Sequence, residues 1–336
     1  MAITVVVGGQ YGDEGKGKVI SYLALADNPQ VIARGGGGPN AGHSVEHNGK
    51  NYKIRLVPSG FVQKNSQLVI GAGVFVDADV FLQEVKNFEL GKRCKIDRRA
   101  TIITQEYKDL DGASAHSKNI GTTKTGMGPT ASARAARTAP FVSSDERLVP
   151  YLCDCHEIVN GAKNVLVEGS QGFMISNLYG TYPYCTSKDV SASTICAEVG
   201  LGPTRVDTVI MVIKAYTTRV GNGPFAGEVS EEEAKRTNTQ EYGTVTKRPR
   251  RTNPNLIWDE IKMAAKVNSA NCIALTKIDV KFSECAKKRE YSQLSQRAID
   301  FIKEIESKIN VPVGLIGTGP DASDMIDRRD ELGIKR

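Results

Sequence analysis

No stretch of this 336-residue chain is apolar over the ~18 residues that a membrane-spanning helix requires. The opening MAITVVVGGQ lacks the basic start and long apolar run of a secretory leader, and reads instead as a short buried strand. There is no Cys-x-x-Cys pair. The seven cysteines are Cys94, Cys153, Cys155, Cys185, Cys196, Cys272 and Cys285, an odd number whose nearest pair is Cys153 and Cys155. That pattern argues against a zinc site or a disulfide framework and fits reduced, mostly buried thiols in a cytoplasmic protein. Internal repeats, low-complexity tracts and linker-like segments are also missing, so residues 1–336 are expected to form a single domain. Neither sign of charge dominates: 44 Lys and Arg face 38 Asp and Glu, a net charge of +6. The excess is dispersed except at Lys247-Arg248-Pro249-Arg250-Arg251, which has no interleaved aromatics. A nucleic-acid binder concentrates its basic residues, so this balance suits an enzyme that handles phosphates, with neither nucleic acid nor membrane as partner.

What is present is the composition of a soluble globular protein, 40% hydrophobic and 24% charged. Residues 3–7 are a β-branched run ending in Gly8-Gly9, as a buried parallel strand reads. Further strands are expected at 67–70, 164–167, 207–215, 272–276 and 311–316, each followed by a Gly-rich or polar segment. Helices are expected at 18–26, 79–87, 256–267 and 293–308, with Asp79 as the N-cap of the second. Strands alternating with helices predict an α/β fold with a mainly parallel central sheet flanked by helices. Ligands of such sheets bind beyond the carboxyl ends of the strands, where the Gly-rich segments fall. Residues 117–145 and 221–255 read as long loops, which in a compact enzyme are usually functional.

Directly after the first strand comes Gly12-Asp13-Glu14-Gly15-Lys16-Gly17-Lys18, close to a P-loop except that Val19 stands where Ser or Thr would bind magnesium. Small residues let backbone N–H groups approach phosphate oxygens, and the following helix start favours negative charge. The metal must then be held otherwise, and Asp13 is the obvious ligand. A second Gly-rich segment, Ala33 to Ser44 (ARGGGGPNAGHS), carries Asn40, Gly42 and His43. The chain has four histidines, and His43 alone has a Gly-rich setting.

GGQYGDEGKGKV followed by NAGHS resembles the adenylosuccinate synthetase family. The same family is matched, in order along nearly the whole chain, by IGTT from Ile120, VEGSQG from Val167, GTYPYCTSKD from Gly180 and IKAYTTRVGNGPF from Ile213. TVTKRPRR from Thr244, LTKID from Leu275 and GTGP from Gly317 complete the set. The resemblance implies a ligase joining L-aspartate to C6 of a 6-oxopurine nucleotide. Asp13 matches the base that takes the N1 proton, and His43 the acid that bonds the charge developing on O6. Lys16 with Gly12, Glu14, Gly15, Gly17 and Lys18, and Gly42, His43 and Ser44, match the triphosphate site. So do Arg250, Lys277, Asp279, Gly317, Gly319 and Pro320. Mg²⁺ is implied on the Asp13 carboxylate and the Gly42 carbonyl. Asn40, Thr123, Gln171, Thr186 and Arg248 match contacts to the nucleotide substrate. Arg137 matches an arginine that reaches the neighbouring subunit's 5′-phosphate, so a homodimer is implied. Thr244, Val245, Thr246, Arg248 and Arg250 match the aspartate loop, where planar guanidinium groups suit carboxylates.

Thr276-Lys277-Ile278-Asp279 has the form of a guanine-reading motif, which implies GTP as donor, with ATP as the alternative. Certain residues depart from the common pattern: Lys124 and Thr125 after IGTT, Lys247 and Pro249 in the aspartate loop, and Thr252-Asn253-Pro254 after it. The chain is also short, as in the archaeal and phage-borne branches. The aspartate-loop departures resemble phage enzymes that use deoxyguanylate to make a 2-aminoadenine precursor, in the host cytoplasm. Retained Asp13 resembles the IMP enzymes. IMP is therefore the expected nucleotide and (d)GMP the alternative. A GTP-binding regulatory switch is a third reading, against which Asp13, His43 and the aspartate-loop arginines argue.

Overall fold

The computed structural model describes residues 2–243 and 249–336. Ten strands form its main sheet. From one edge to the other these are Met325–Asp327, Val313–Gly317, Cys272–Thr276, Thr208–Lys214, Ala2–Gly8, Asn164–Glu168, Val31–Arg34, Gln67–Ile70, Cys94–Asp97 and Leu152–Cys153. Every neighbouring pair is parallel except the first, in which Met325–Asp327 runs against Val313–Gly317. The expected mainly parallel sheet is thus what forms.

The apolar strands are buried on both faces, and alternate side chains divide into two cores. Val5, Val7, Val165, Val167, Met211 and Ile273 pack on one side with Ile261 and Ile302 of the helices Trp258–Asn268 and Gln296–Ile309. Val6, Leu166, Ile210 and Val212 pack on the other with Ile20 and Leu23 of Lys16–Asp27 and Phe81 of Ala78–Asn87. The register brings strand ends level: Arg34 pairs with Glu168, Gly8 with Val212 and Lys214 with Thr276. Polar residues thereby gather at one end of an otherwise apolar sheet.

Three expectations are corrected. The helix Ala78–Asn87 is capped by Asp77, not Asp79. Asp77 is extended and its Oδ1 accepts the N–H groups of Asp79 (3.1 Å) and Val80 (3.3 Å), which places Asp79 in the first turn. Residues 117–145 are not one loop but hold the helix Met127–Ala136, and residues 221–255 hold the helix Glu231–Arg236 and the strand Arg251–Asn253. The central strand Val31–Arg34 was not anticipated. Among the described residues no helix is long and apolar enough to cross a membrane.

Candidate active site

A cavity of about 1090 Å³ opens beyond the carboxyl ends of the central strands. Its floor is the turn from Ala2–Gly8 into the helix Lys16–Asp27. Gly15 holds φ +89°, a left-handed conformation that costs a side-chain-bearing residue more, and so starts the helix facing the cavity. A Cβ on Gly17 would lie 3.1 Å from that of His43, so glycine here lets the helix start and the His43 strand approach. Thr276 Oγ1 donates to Glu14 O at 2.6 Å, tying the loop to the strand Cys272–Thr276.

The loop is also braced from within. The Glu14 carboxylate is fully buried, accepts the N–H groups of Gln10 (3.1 Å) and Gly12 (2.8 Å), and pairs with Lys16 Nζ at 2.6 Å. Glu14 therefore faces away from the cavity wall, while Lys16 lines it. Lys18 lines the cavity too, but its ammonium donates to the carbonyls of Gly319 and Asp324, anchoring the Gly319-Pro320 turn to the helix. Burial pushes the Lys18 ammonium down to about 8, against the pull of Asp279 and Asp324.

His43 starts the strand His43–His47 and is buried. Its Nδ1 lies 2.6 Å from Glu168 Oε1 and 3.0 Å from Ser59 Oγ, and Ser59 donates to Glu168 through both Oγ (2.7 Å) and N (2.6 Å). Burial works to raise the Glu168 carboxyl, but His43, Arg34 and Ser59 outweigh it and hold it below the ordinary range. Glu168 is thus a carboxylate, which assigns the proton to Nδ1 and leaves Nε2 for the cavity. Burial lowers the basicity of His43, and Glu168 opposes that shift. Arg34, fully buried at the end of its own strand, supplies the compensating charge.

Asp13 is exposed to the cavity at φ +60°, and its Oδ2 is 2.5 Å from Arg250 Nε, a close ion pair without hydrogen-bond alignment. Asn40 Oδ1 and Gln171 Oε1 are buried in the wall with no partner among the described residues. An unpaired buried acceptor costs ~1–3 kcal/mol, which a ligand donor would recover.

Of the residues singled out in the sequence, Gly12, Asp13, Gly15, Lys16, Gly17 and Lys18 reach the cavity wall. Asn40, Gly42, His43, Ser44, Thr123, Gln171 and Thr186 reach it from other loops, as do Arg250, Lys277, Asp279, Gly319 and Pro320. Glu14 and Gly317 lie outside the wall, and Arg137 is exposed at the end of Met127–Ala136. Thr244, Val245, Thr246 and Arg248 fall outside the described residues. Two residues were missed. Glu168 was seen only within its motif, although a carboxylate closing the apolar run Val165-Leu166-Val167 is itself a signal. Asp111, buried, accepts from Ser117 Oγ (2.7 Å), Thr122 Oγ1 (3.0 Å) and Gly126 N (2.9 Å), so it shapes the loop that presents Thr123; nothing local marked it.

The family profile for adenylosuccinate synthetase matches residues 5–144 and 138–286. An adenylosuccinate synthetase of Methanococcus aeolicus is 49% identical over 337 residues, covering 98% of this chain and 100% of that protein. One from Pyrococcus sp. is 50% identical over 344 residues, covering 99% and 100%. Among solved structures, the fully ligated adenylosuccinate synthetase of Plasmodium falciparum superposes with a TM-score of 0.91 at 25% identity, covering 97% of this chain and 100% of that one. The succinoaminodeoxyadenylate synthetase of cyanophage S-2L, bound to dGMP and dATP, gives 0.82 at 26% identity, covering 99% and 98%. With the family profile matched over most of the chain and relatives of such identity along its whole length, the chain belongs to the adenylosuccinate synthetase family, a C–N bond-forming ligase of purine biosynthesis.

Proposed function

We propose that this protein condenses IMP with L-aspartate at the expense of GTP, giving N6-succinyl-AMP, GDP and phosphate. The observation that carries the reading is the meeting, in one cavity, of Asp13, the carboxylate-held His43 and the phosphate loop, with Lys277 and Asp279 at the next strand end. Asp13 takes the N1 proton of the purine, and the electron pair moves onto O6. O6 attacks the γ-phosphorus, and GDP leaves. His43 donates from Nε2 to the charge around O6, while Lys16 and the N–H groups of the helix start neutralise the phosphates. The amino group of aspartate then adds at C6, and the C6–O6 bond breaks to release phosphate. In this reading Arg250 receives a substrate carboxylate and in doing so releases Asp13, with which it is paired.

No three His, Cys, Asp or Glu side chains converge among the described residues, so the donor set is not that of a closed metal cage. Mg²⁺ needs only one or two carboxylates beside substrate phosphates, and the Asp13 carboxylate with the Gly42 carbonyl suits that mode. Bound there, Mg²⁺ would neutralise phosphate charge. A cytoplasmic location belongs to the same proposal.

A panel of IMP, dIMP, GMP and dGMP with aspartate, run once with GTP and once with ATP, tests the assignment. Aspartate-dependent phosphate release is expected with IMP and GTP. The ligands of the cyanophage enzyme give the second reading, and turnover of dGMP with IMP inert would select it.

Donor choice rests on Asp279, whose carboxylate can accept from both N1–H and the 2-amino group of guanine. Asp279→Asn is expected to raise the KM for GTP about 10- to 100-fold and to narrow the preference over ATP. Equal use of ATP and GTP by the unaltered enzyme would contradict this.

Arg137 is proposed to complete the nucleotide site of a second subunit, a role that agrees with its exposed position outside its own cavity. Arg137→Leu is expected to raise the KM for IMP by about tenfold or more. Mixed with an Asp13→Asn variant, it should regain activity, because a heterodimer then has one intact site and one doubly defective site. No recovery after verified subunit exchange would refute the shared site.

A further inference from the structure

Glu241 lines the cavity between its donor end and the aspartate loop, and its carboxylate is unusually occupied. One oxygen pairs with Lys214 Nζ at 2.7 Å; the other accepts from the Tyr216 hydroxyl and lies 3.6 Å from Lys277 Nζ. Lys214 ends the strand Thr208–Lys214, is fully buried, and stands in register with Thr276, the residue before Lys277. The backbone of Glu241 is engaged as well. Its carbonyl accepts Arg250 N at 2.8 Å, and Tyr242 bridges Pro249 in antiparallel fashion. Glu241 thus sits at a neck formed by the described residues on either side of 244–248. Arg250, on the far side of that neck, is the partner of Asp13.

A loop anchor needs one buried partner, and Lys214 provides it. The contact with Lys277 is different, since the Lys277 side chain is 46% exposed and needs no counter-charge to remain where it is. That second cation gives the carboxylate a reach from the aspartate loop to the donor-base motif. We propose that Glu241 is a positioning residue that couples the two half-sites: it holds the neck of the aspartate loop and the Lys277 ammonium on one carboxylate, so that filling either half-site favours the other. Such coupling is reciprocal and typically amounts to about 5- to 150-fold in affinity. This rests on the functional reading above, in which Lys277 serves the donor and Arg250 serves aspartate.

Equilibrium binding of GDP in the presence of IMP, with and without aspartate, reads the coupling directly, because without a γ-phosphoryl group no turnover occurs. In the unaltered enzyme aspartate is expected to tighten GDP at least about fivefold. Glu241→Gln should reduce that factor to within about twofold of unity while the Kd for IMP stays within about twofold. Because Glu241→Gln strands the buried Lys214 charge, Lys277→Gln, which leaves the Lys214–Glu241 pair intact, is the second variant, and the same collapse is expected. If the coupling survives in a folded variant of either residue, or if IMP affinity falls in parallel with it, the proposal is overturned. An unaltered enzyme that makes product but whose GDP affinity ignores aspartate refutes the coupling alone. A protein that makes no product from IMP refutes the functional reading instead.

Discussion

Asp13→Asn is expected to lower kcat by at least about 10²–10⁴-fold. The exchange preserves size and leaves an amide where the carboxylate stood, so the effect is chemical rather than steric. An amide cannot take the N1 proton, and without that step O6 is a neutral carbonyl oxygen, too weak a nucleophile for the γ-phosphorus. The left-handed backbone at Asp13, φ +60°, is among the conformations that asparagine tolerates best, so folding should be retained. Single-turnover kinetics with IMP, GTP and aspartate check the prediction. Near-normal kcat in this variant would remove Asp13 from the chemistry.

His43→Asn is expected to cost about 10²–10³-fold in kcat, the scale on which loss of one donor to a developing oxyanion is felt. The surroundings of His43 make a more discriminating prediction. With Nδ1–H held by Glu168, Nε2 can donate only when the ring is cationic. Burial works against that form, and Glu168 is the group that opposes burial. Glu168→Gln keeps a hydrogen-bond acceptor but removes the counter-charge, so the folded-state pKa of His43 falls further. The cationic donor is then lost at lower pH, and the alkaline limb of the kcat–pH profile is expected to move toward acid, with the maximum reduced by about 10²-fold. An unmoved limb would show that His43 acts as a neutral group or that Glu168 serves folding alone.

The parts of the fold that were legible are those in which local pattern and tertiary fate agree. Residues 3–7, 67–70 and 272–276 are apolar runs closed by polar or glycine residues, and each became a strand at or within a residue of those limits. Val31–Arg34 was not legible because four residues, preceded by Asn28-Pro29 and closed by an arginine, carry no period; only pairing on both sides makes them central. Met127–Ala136 reads as a loop because Gly128, Pro129 and Ser132 weaken helix propensity, yet Pro129 falls in the first turn, where a missing N–H costs nothing. The site divides similarly. Backbone-dependent chemistry in the phosphate loop is written in glycine spacing, so it could be read. The Glu168–His43 and Arg250–Asp13 pairs join residues far apart in the chain, and only the tertiary fold brings them together. Glu14 adds a feature that the motif alone does not show: its carboxylate braces the loop from inside.

The central claim is that O6 of the purine is phosphorylated before aspartate displaces it. IMP labelled with ¹⁸O at position 6 tests this most directly, because the two possible routes send the oxygen to different products. If Asp13 and His43 direct O6 onto the γ-phosphorus, each phosphate released during aspartate-dependent turnover carries one ¹⁸O, and the succinylated nucleotide carries none. Phosphate free of label, with the ¹⁸O recovered in water, would mean that aspartate displaces the oxygen without phosphoryl transfer to it, and would contradict the account.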